Sequence, residues 1–188
     1  MKNTLVVNLF GAPGAGKSTA AAYIFSMLKM LNIDAELVTE FAKDKVWEEN
    51  PAPFQNQAYM FGKQSFRVAR CAGKVDVIIT DSPLPLSIYY NNDPRLTENF
   101  NQTVMDVFNS YDNVNYFLKR VKPYNPNGRN QTEEESDQIS IQLLNILDRY
   151  EISFATYNGC KDDYDKIVQE VASILTRRKL DMKGDIDD

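Results

Sequence analysis

Nine residues near the amino end, Gly11-Ala12-Pro13-Gly14-Ala15-Gly16-Lys17-Ser18-Thr19, constrain this chain more than any others. They fit G-x-x-x-x-G-K-[ST], the pattern of a phosphate-cradling loop. The pattern needs a context, and both sides supply one. Thr4 to Phe10 reads as a buried strand, and Ala20, Ile24, Met27, Leu28 and Leu31 recur on one helical face. Strand, glycine loop and helix in that order aim backbone N–H groups and a helix N-terminus at an anion. In this pattern Lys17 reaches the β- and γ-phosphates of a nucleoside triphosphate such as ATP, and the Ser18 hydroxyl holds Mg²⁺. The bland alternative is a glycine-rich turn.

The remainder alternates strand and helix patterns, which argues for an α/β fold with a parallel sheet. Ala35 to Thr39 reads as a second strand ending at Glu40, and Phe41 to Glu49 as a helix broken at Asn50-Pro51-Ala52-Pro53. A long helix is expected from about Phe54 to Ala72. Val75 to Thr80 is a third strand with Asp81 at its end, and Asp93-Pro94 opens a helix striped by Leu96, Phe100, Val104, Val107 and Phe108. Val114 to Leu118 is the fourth strand. Lys119 to Gln131, with two prolines and a glycine, is a loop, and Thr132 to Glu135 is a capping box. Ile152 to Tyr157 is the fifth strand, and Tyr164, Ile167, Val168, Val171 and Leu175 mark a last helix. The expected organisation is one domain over 1–178 and a polar, frayed tail over 179–188.

The chain has 188 residues, 43% of them hydrophobic and 11% aromatic, enough for one core. A net charge of −5 lacks the footprint of a duplex-binding protein, although a local basic patch is allowed. Cys71 and Cys160 fit no metal spacing and read as free thiols of a reduced compartment. There is no histidine, so acid–base work falls to carboxylates. No apolar run approaches the ~20 residues of a membrane span, and no signal peptide is recognisable, so a cytoplasmic location is expected. A homodimer is compatible with the sequence but not specified by it.

Ligands of an open parallel sheet gather beyond the carboxyl ends of its strands. Four features fall there: the glycine loop, Glu40, Asp81 and the loop from Lys119. Asp81 suits support of Mg²⁺ beside Ser18; the alternative is a helix-capping aspartate. Glu40 suits a base for an acceptor hydroxyl, against a glutamate that merely favours a helix N-terminus. Lys119, Arg120, Lys122 and Arg129 suit a closing lid over 119–131, with Arg120 and Arg129 favoured because guanidinium forks match phosphate. A solvated charged face is the alternative. Gln55 or Gln57 suits a base edge, and Arg67 and Arg70 an acceptor phosphate or plain solvent. Phe54, Tyr59, Phe61 and Trp47 are expected mostly to pack.

Taken together, the glycine loop, Glu40, Phe54-Gln55…Gln57, Asp81-Ser82-Pro83 and the basic loop resemble the P-loop kinases of small molecules. Deoxynucleoside kinases, nucleoside monophosphate kinases and small phage-encoded P-loop kinases are similar over roughly residues 1–175. The resemblance implies a three-layer fold with a five-stranded parallel sheet in the order 2-3-1-4-5. It also implies an ATP- and Mg²⁺-dependent transfer to a nucleoside or nucleotide, a glutamate base at Glu40 and a base-reading glutamine at Gln55 or Gln57. Ser82 departs from the arginine usual after that carboxylate in deoxynucleoside kinases. Two further readings are a kinase of a hydroxymethylated base in DNA, disfavoured by the acidic composition, and a nucleotide-dependent switch or ATPase with no acceptor.

Overall fold

The computed structural model describes residues 3–125 and 132–184. Its strands are β1 (Leu5–Phe10), β2 (Ala35–Val38), β3 (Val77–Thr80), β4 (Asp112–Lys119) and β5 (Ala155–Asn158). Its helices are α1 (Lys17–Met30), α2 (Phe41–Trp47), α3 (Gln57–Ala69), α4 (Leu86–Tyr89), α5 (Glu98–Asn109), α6 (Glu133–Arg149) and α7 (Lys161–Gly184). The five strands form one sheet in the order β2-β3-β1-β4-β5, and every neighbouring pair is parallel. Both the α/β class and the strand order match the sequence reading.

A parallel sheet is covered on both faces, so its central strands are apolar on both sides. β1 shows this along its whole length, every residue being buried. Leu5, Val7 and Leu9 pack with Ala20, Ile24 and Leu28 of α1 and Ile167, Val171 and Leu175 of α7. Phe10 and Phe117 face the opposite layer, among Val104 and Phe108 of α5 and Leu143 and Leu147 of α6. The exception in β1 is Asn8, whose amide nitrogen donates to the Asn113 and Asn115 side-chain oxygens at 2.9 and 3.0 Å. β5 joins β4 only from the pair Tyr116–Ala155 onward.

Several boundaries differ from the sequence reading, each for a local reason. The long helix begins at Gln57 because the Asn56 side chain caps it, accepting from the Tyr59 N–H at 3.0 Å. Ala52–Gln55 is a separate 3₁₀ turn. Asp93 opens no helix: its carboxylate accepts from the Arg95 N–H and guanidinium, closing a turn ahead of α5. β5 begins late because Glu151 adopts φ 52° and the Ile152 N–H returns to the Leu147 carbonyl, folding Ile152 under α6. Lys119 is the last residue of β4 and not part of a loop. The Thr132–Glu135 capping box is present as read. α7 continues through Gly184, so 179–184 is helical, and 185–188 lie outside the described residues. Among the described residues no helix is long and apolar enough to cross a membrane.

Candidate active site

The glycine loop bridges β1 and α1 at the carboxyl edge of the sheet. Gly16, at φ 92°, is the residue that turns the chain into α1, whose N-terminus has no side-chain cap. A methyl group there would lie 2.6 Å from the Tyr164 hydroxyl. That hydroxyl, itself fixed in the α1–α7 core, reaches the Gly16 carbonyl at 3.4 Å. From the other layer, Ser136 of α6 donates to the Pro13 carbonyl at 2.7 Å. The loop is therefore held from both sides while the first N–H groups of α1 remain open to an anion. Lys17 Nζ donates to the carbonyls of Gly11 and Ala12 at 2.7 and 3.1 Å, which parks the ammonium over its own loop.

Glu40 lies in the field of both this lysine and Asp81. Glu40 ends the β2 segment and is half-buried. Burial pushes its carboxyl above the ordinary glutamate range; the Lys17 ammonium opposes that, and Asp81 adds to it. Asp81 follows β3 directly and is only 4% exposed. One of its oxygens, Oδ1, is buried with no hydrogen-bond partner. An orphaned carboxylate oxygen is costly unless something is to occupy it. Oxygen from Asp81 and Ser18 is the donor set that suits Mg²⁺, which takes one or two protein oxygens and draws the rest from phosphates and water. No group of three or more His, Cys, Asp or Glu side chains that could hold a metal occurs among the described residues.

A cavity of about 410 Å³ opens from the loop toward α2, α3 and α4. Its walls include Gly14, Gly16, Lys17, Ser18 and Thr19 on one side, and Glu40, Gln57, Phe54, Trp47 and Tyr90 on the other. Its volume is that of a small-molecule site, about 300–1,000 Å³. Gln57 is 7% exposed and lines the cavity, and its amide makes no hydrogen bond to the described residues. Trp47, 71% exposed, stands at the mouth and does not pack in the core.

Other residues picked from the sequence are elsewhere. Gln55 is exposed in the 3₁₀ turn and lines no wall. Arg67 is used structurally: it pairs with Asp44, donates to the Thr39 carbonyl at 3.1 Å and lies over the Phe41 ring. Arg70 closes α3 at the surface, away from the cavity. Arg120 is paired with Glu133 and Asp137 in the first turns of α6 and sits over Tyr124, whose ring packs on Gly14. Arg129 lies outside the described residues. Tyr59 is 41% exposed and meets Phe41 edge-on, while Phe61 is core.

The sequence reading missed Ser87, Tyr90 and Asn92 as wall residues. They follow Pro83-Leu84-Pro85, a signal that the chain turns back across the strand ends. It also missed Gln64, which accepts from the Phe41 N–H at 2.9 Å and so sets the backbone beside Glu40. No curated protein matches the chain. Residues 6–165, from β1 into the first turns of α7, match a family model described as AAA domain, and the chain belongs to that P-loop NTPase-type family.

Proposed function

We propose that this chain is an ATP- and Mg²⁺-dependent phosphotransferase that moves the γ-phosphate to a nucleoside or nucleotide. One observation carries the proposal. The phosphate loop opens into a walled cavity lined also by Glu40 and by Gln57, whose amide makes no hydrogen bond to the described residues. Hydrolysis needs only an ordered water, whereas a cavity that continues past the phosphate loop with amide and aromatic walls suits an organic acceptor.

Phosphoryl transfer depends mainly on positioning and on charge stabilisation. The α1 N-terminus and the loop backbone hold the β- and γ-phosphates. Lys17 leaves the Gly11 and Ala12 carbonyls and meets the γ-phosphate, offsetting charge as it transfers. Ser18 and Asp81 would hold Mg²⁺, which would supply positive charge beside the phosphates. Glu40, made more basic by its surroundings, accepts the proton of the attacking hydroxyl. Gln57 pairs with an amide-like base edge between Phe54 and Trp47.

The test is incubation with γ-labelled ATP, Mg²⁺ and a panel of nucleosides, nucleoside monophosphates and oligonucleotides. Label should appear on a nucleoside or nucleotide, be abolished by Lys17→Ala and be lost without loss of ATP binding in Glu40→Gln. Label only on inorganic phosphate would replace transfer with hydrolysis. Label only on an oligonucleotide would move the acceptor into a strand.

A further inference from the structure

We infer that the acceptor is a neutral alcohol and not a phosphate monoester, its hydroxyl held between the Glu40 carboxylate and the Tyr90 phenol. The inference rests on the phosphotransfer reading above and decides which of its two acceptor classes the cavity takes.

The first observation is the charge of the walls. Among the described residues, the walls beyond the phosphate loop present Glu40, the cation Lys43 and the neutral hydrogen-bonding groups Gln57, Gln64, Ser82, Ser87, Tyr90 and Asn92. Lys17 belongs to the donor side, bonded to its own loop. Arg67 is held by Asp44 and Thr39, and Arg70 is at the surface. A phosphate monoester brings a charge of about −1.5 to −2 and is normally met by forked guanidinium donors. Here it would meet the Glu40 carboxylate beside Asp81, with the ammonium groups of Lys17 and Lys43 as counter-charge and no guanidinium among the described wall residues.

The second observation is a pair of neutral groups on the cavity wall that make no hydrogen bond to the described residues. Tyr90 ends the one-turn helix α4 and lines the same cavity as Glu40. Its hydroxyl makes no hydrogen bond to the described residues. Tyr90 is 37% exposed; the buried part of its side chain and, after that, the Glu40 charge push its phenol above the ordinary tyrosine range. A neutral phenol donates well to an alcohol oxygen, and a carboxylate accepts well from an alcohol proton. One O–H group satisfies both at once. Gln57, buried and equally without a partner, remains for the far end of the molecule.

The step balances on these groups. The alcohol oxygen attacks the γ-phosphorus with a lone pair, and its proton passes to Glu40. The bond from that phosphorus to the β,γ-bridging oxygen breaks, and its electron pair leaves on ADP. The products are a phosphate monoester and ADP, and Glu40 returns its proton to solvent. The product carries the very charge that the walls disfavour, which promotes its release.

The experiment uses the full chain. Trp47, the only tryptophan, stands at the cavity mouth, so its emission reports occupancy without turnover. With Mg²⁺ and a non-hydrolysable ATP analogue present, the protein is titrated with deoxynucleosides and with their 5′-monophosphates. Binding of a nucleoside should be at least tenfold tighter than that of its monophosphate. Turnover with labelled ATP should yield monophosphates and no diphosphates. Tyr90→Phe should raise KM for the alcohol about tenfold, the loss of one hydrogen bond to a reacting group, with unchanged ATP affinity and Tm. Diphosphate formation, tighter binding of monophosphates, or an unchanged KM in Tyr90→Phe each overturns the inference. Release of inorganic phosphate alone overturns the phosphotransfer reading instead, and the titration still ranks alcohol against phosphate.

Discussion

Gly159 offers the sharpest test of how the phosphate loop is held. It lies between β5 and α7, with its N–H donating to the Lys119 carbonyl at 2.8 Å. A methyl group built there would be 2.2 Å from the Ala15 carbonyl oxygen and 3.2 Å from that of Lys119. A carbon and a carbonyl oxygen normally approach no closer than about 3.3 Å. Gly159→Ala therefore requires roughly 1 Å of movement between two backbones, with no flexible side chain to absorb it. The backbone here is outside the left-handed region, so the cost is steric and not torsional. Overpacking of this kind costs about 1–3 kcal/mol. For a chain of this size that lowers Tm by about 2–12 °C. The displaced group is Ala15, next to Gly16 at the N-cap of α1, so nucleotide affinity should fall as well. Thermal melts and nucleotide titrations well below Tm separate the two effects. A variant that melts and binds nucleotide like the parent would refute the close approach and the support argued from it.

Four further outcomes follow from the same geometry. Glu40→Gln should raise Tm while abolishing transfer: the folded state disfavours the charged form, so Glu40 costs stability as pH rises from its unfolded pKa through its raised folded value. The rising limb of the pH–rate profile should accordingly lie above the ordinary glutamate range, and disappear in Glu40→Gln. Asp81→Asn should raise the Mg²⁺ needed for half-maximal activity by about tenfold or more, leaving metal-free nucleotide binding intact. Arg67→Met should lower Tm by about 2–8 °C, from a part-exposed ion pair and one carbonyl hydrogen bond together worth about 1–2 kcal/mol, with acceptor KM unchanged; an altered KM would return Arg67 to the acceptor site.

The donor half of the site was legible because its parts are strand ends and a motif. Lys17 and Ser18 follow from spacing, and Glu40 and Asp81 from being the first carboxylates after apolar strands. The acceptor half depends on which way a helix starts. Gln55 and Gln57 are two residues apart, yet the Asn56 cap separates them into a turn exposed to water and a helix facing the cavity. Arg67 and Arg120 looked free because a carboxylate 13 to 23 positions away along the chain leaves no local trace. Tyr90 was invisible because α4 is one turn long and has no period to read.

The amide of Asn8 in the middle of β1 has a consequence for assembly. It touches Asn113 and Asn115, the two β4 residues flanking Val114, to which Val7 of β1 is paired in register. A slip of β4 by one residue would exchange its faces, setting Val114 and Tyr116 against the Asn8 amide and driving Asn113 and Asn115 into the α1–α7 layer. Three amides would then be desolvated without partners. Apolar strands alone tolerate several alignments, whereas this triad accepts one. It works as a proofreading contact: β4 docks only in the alignment that brings Lys119 and Arg120 to the edge where the phosphates are to lie.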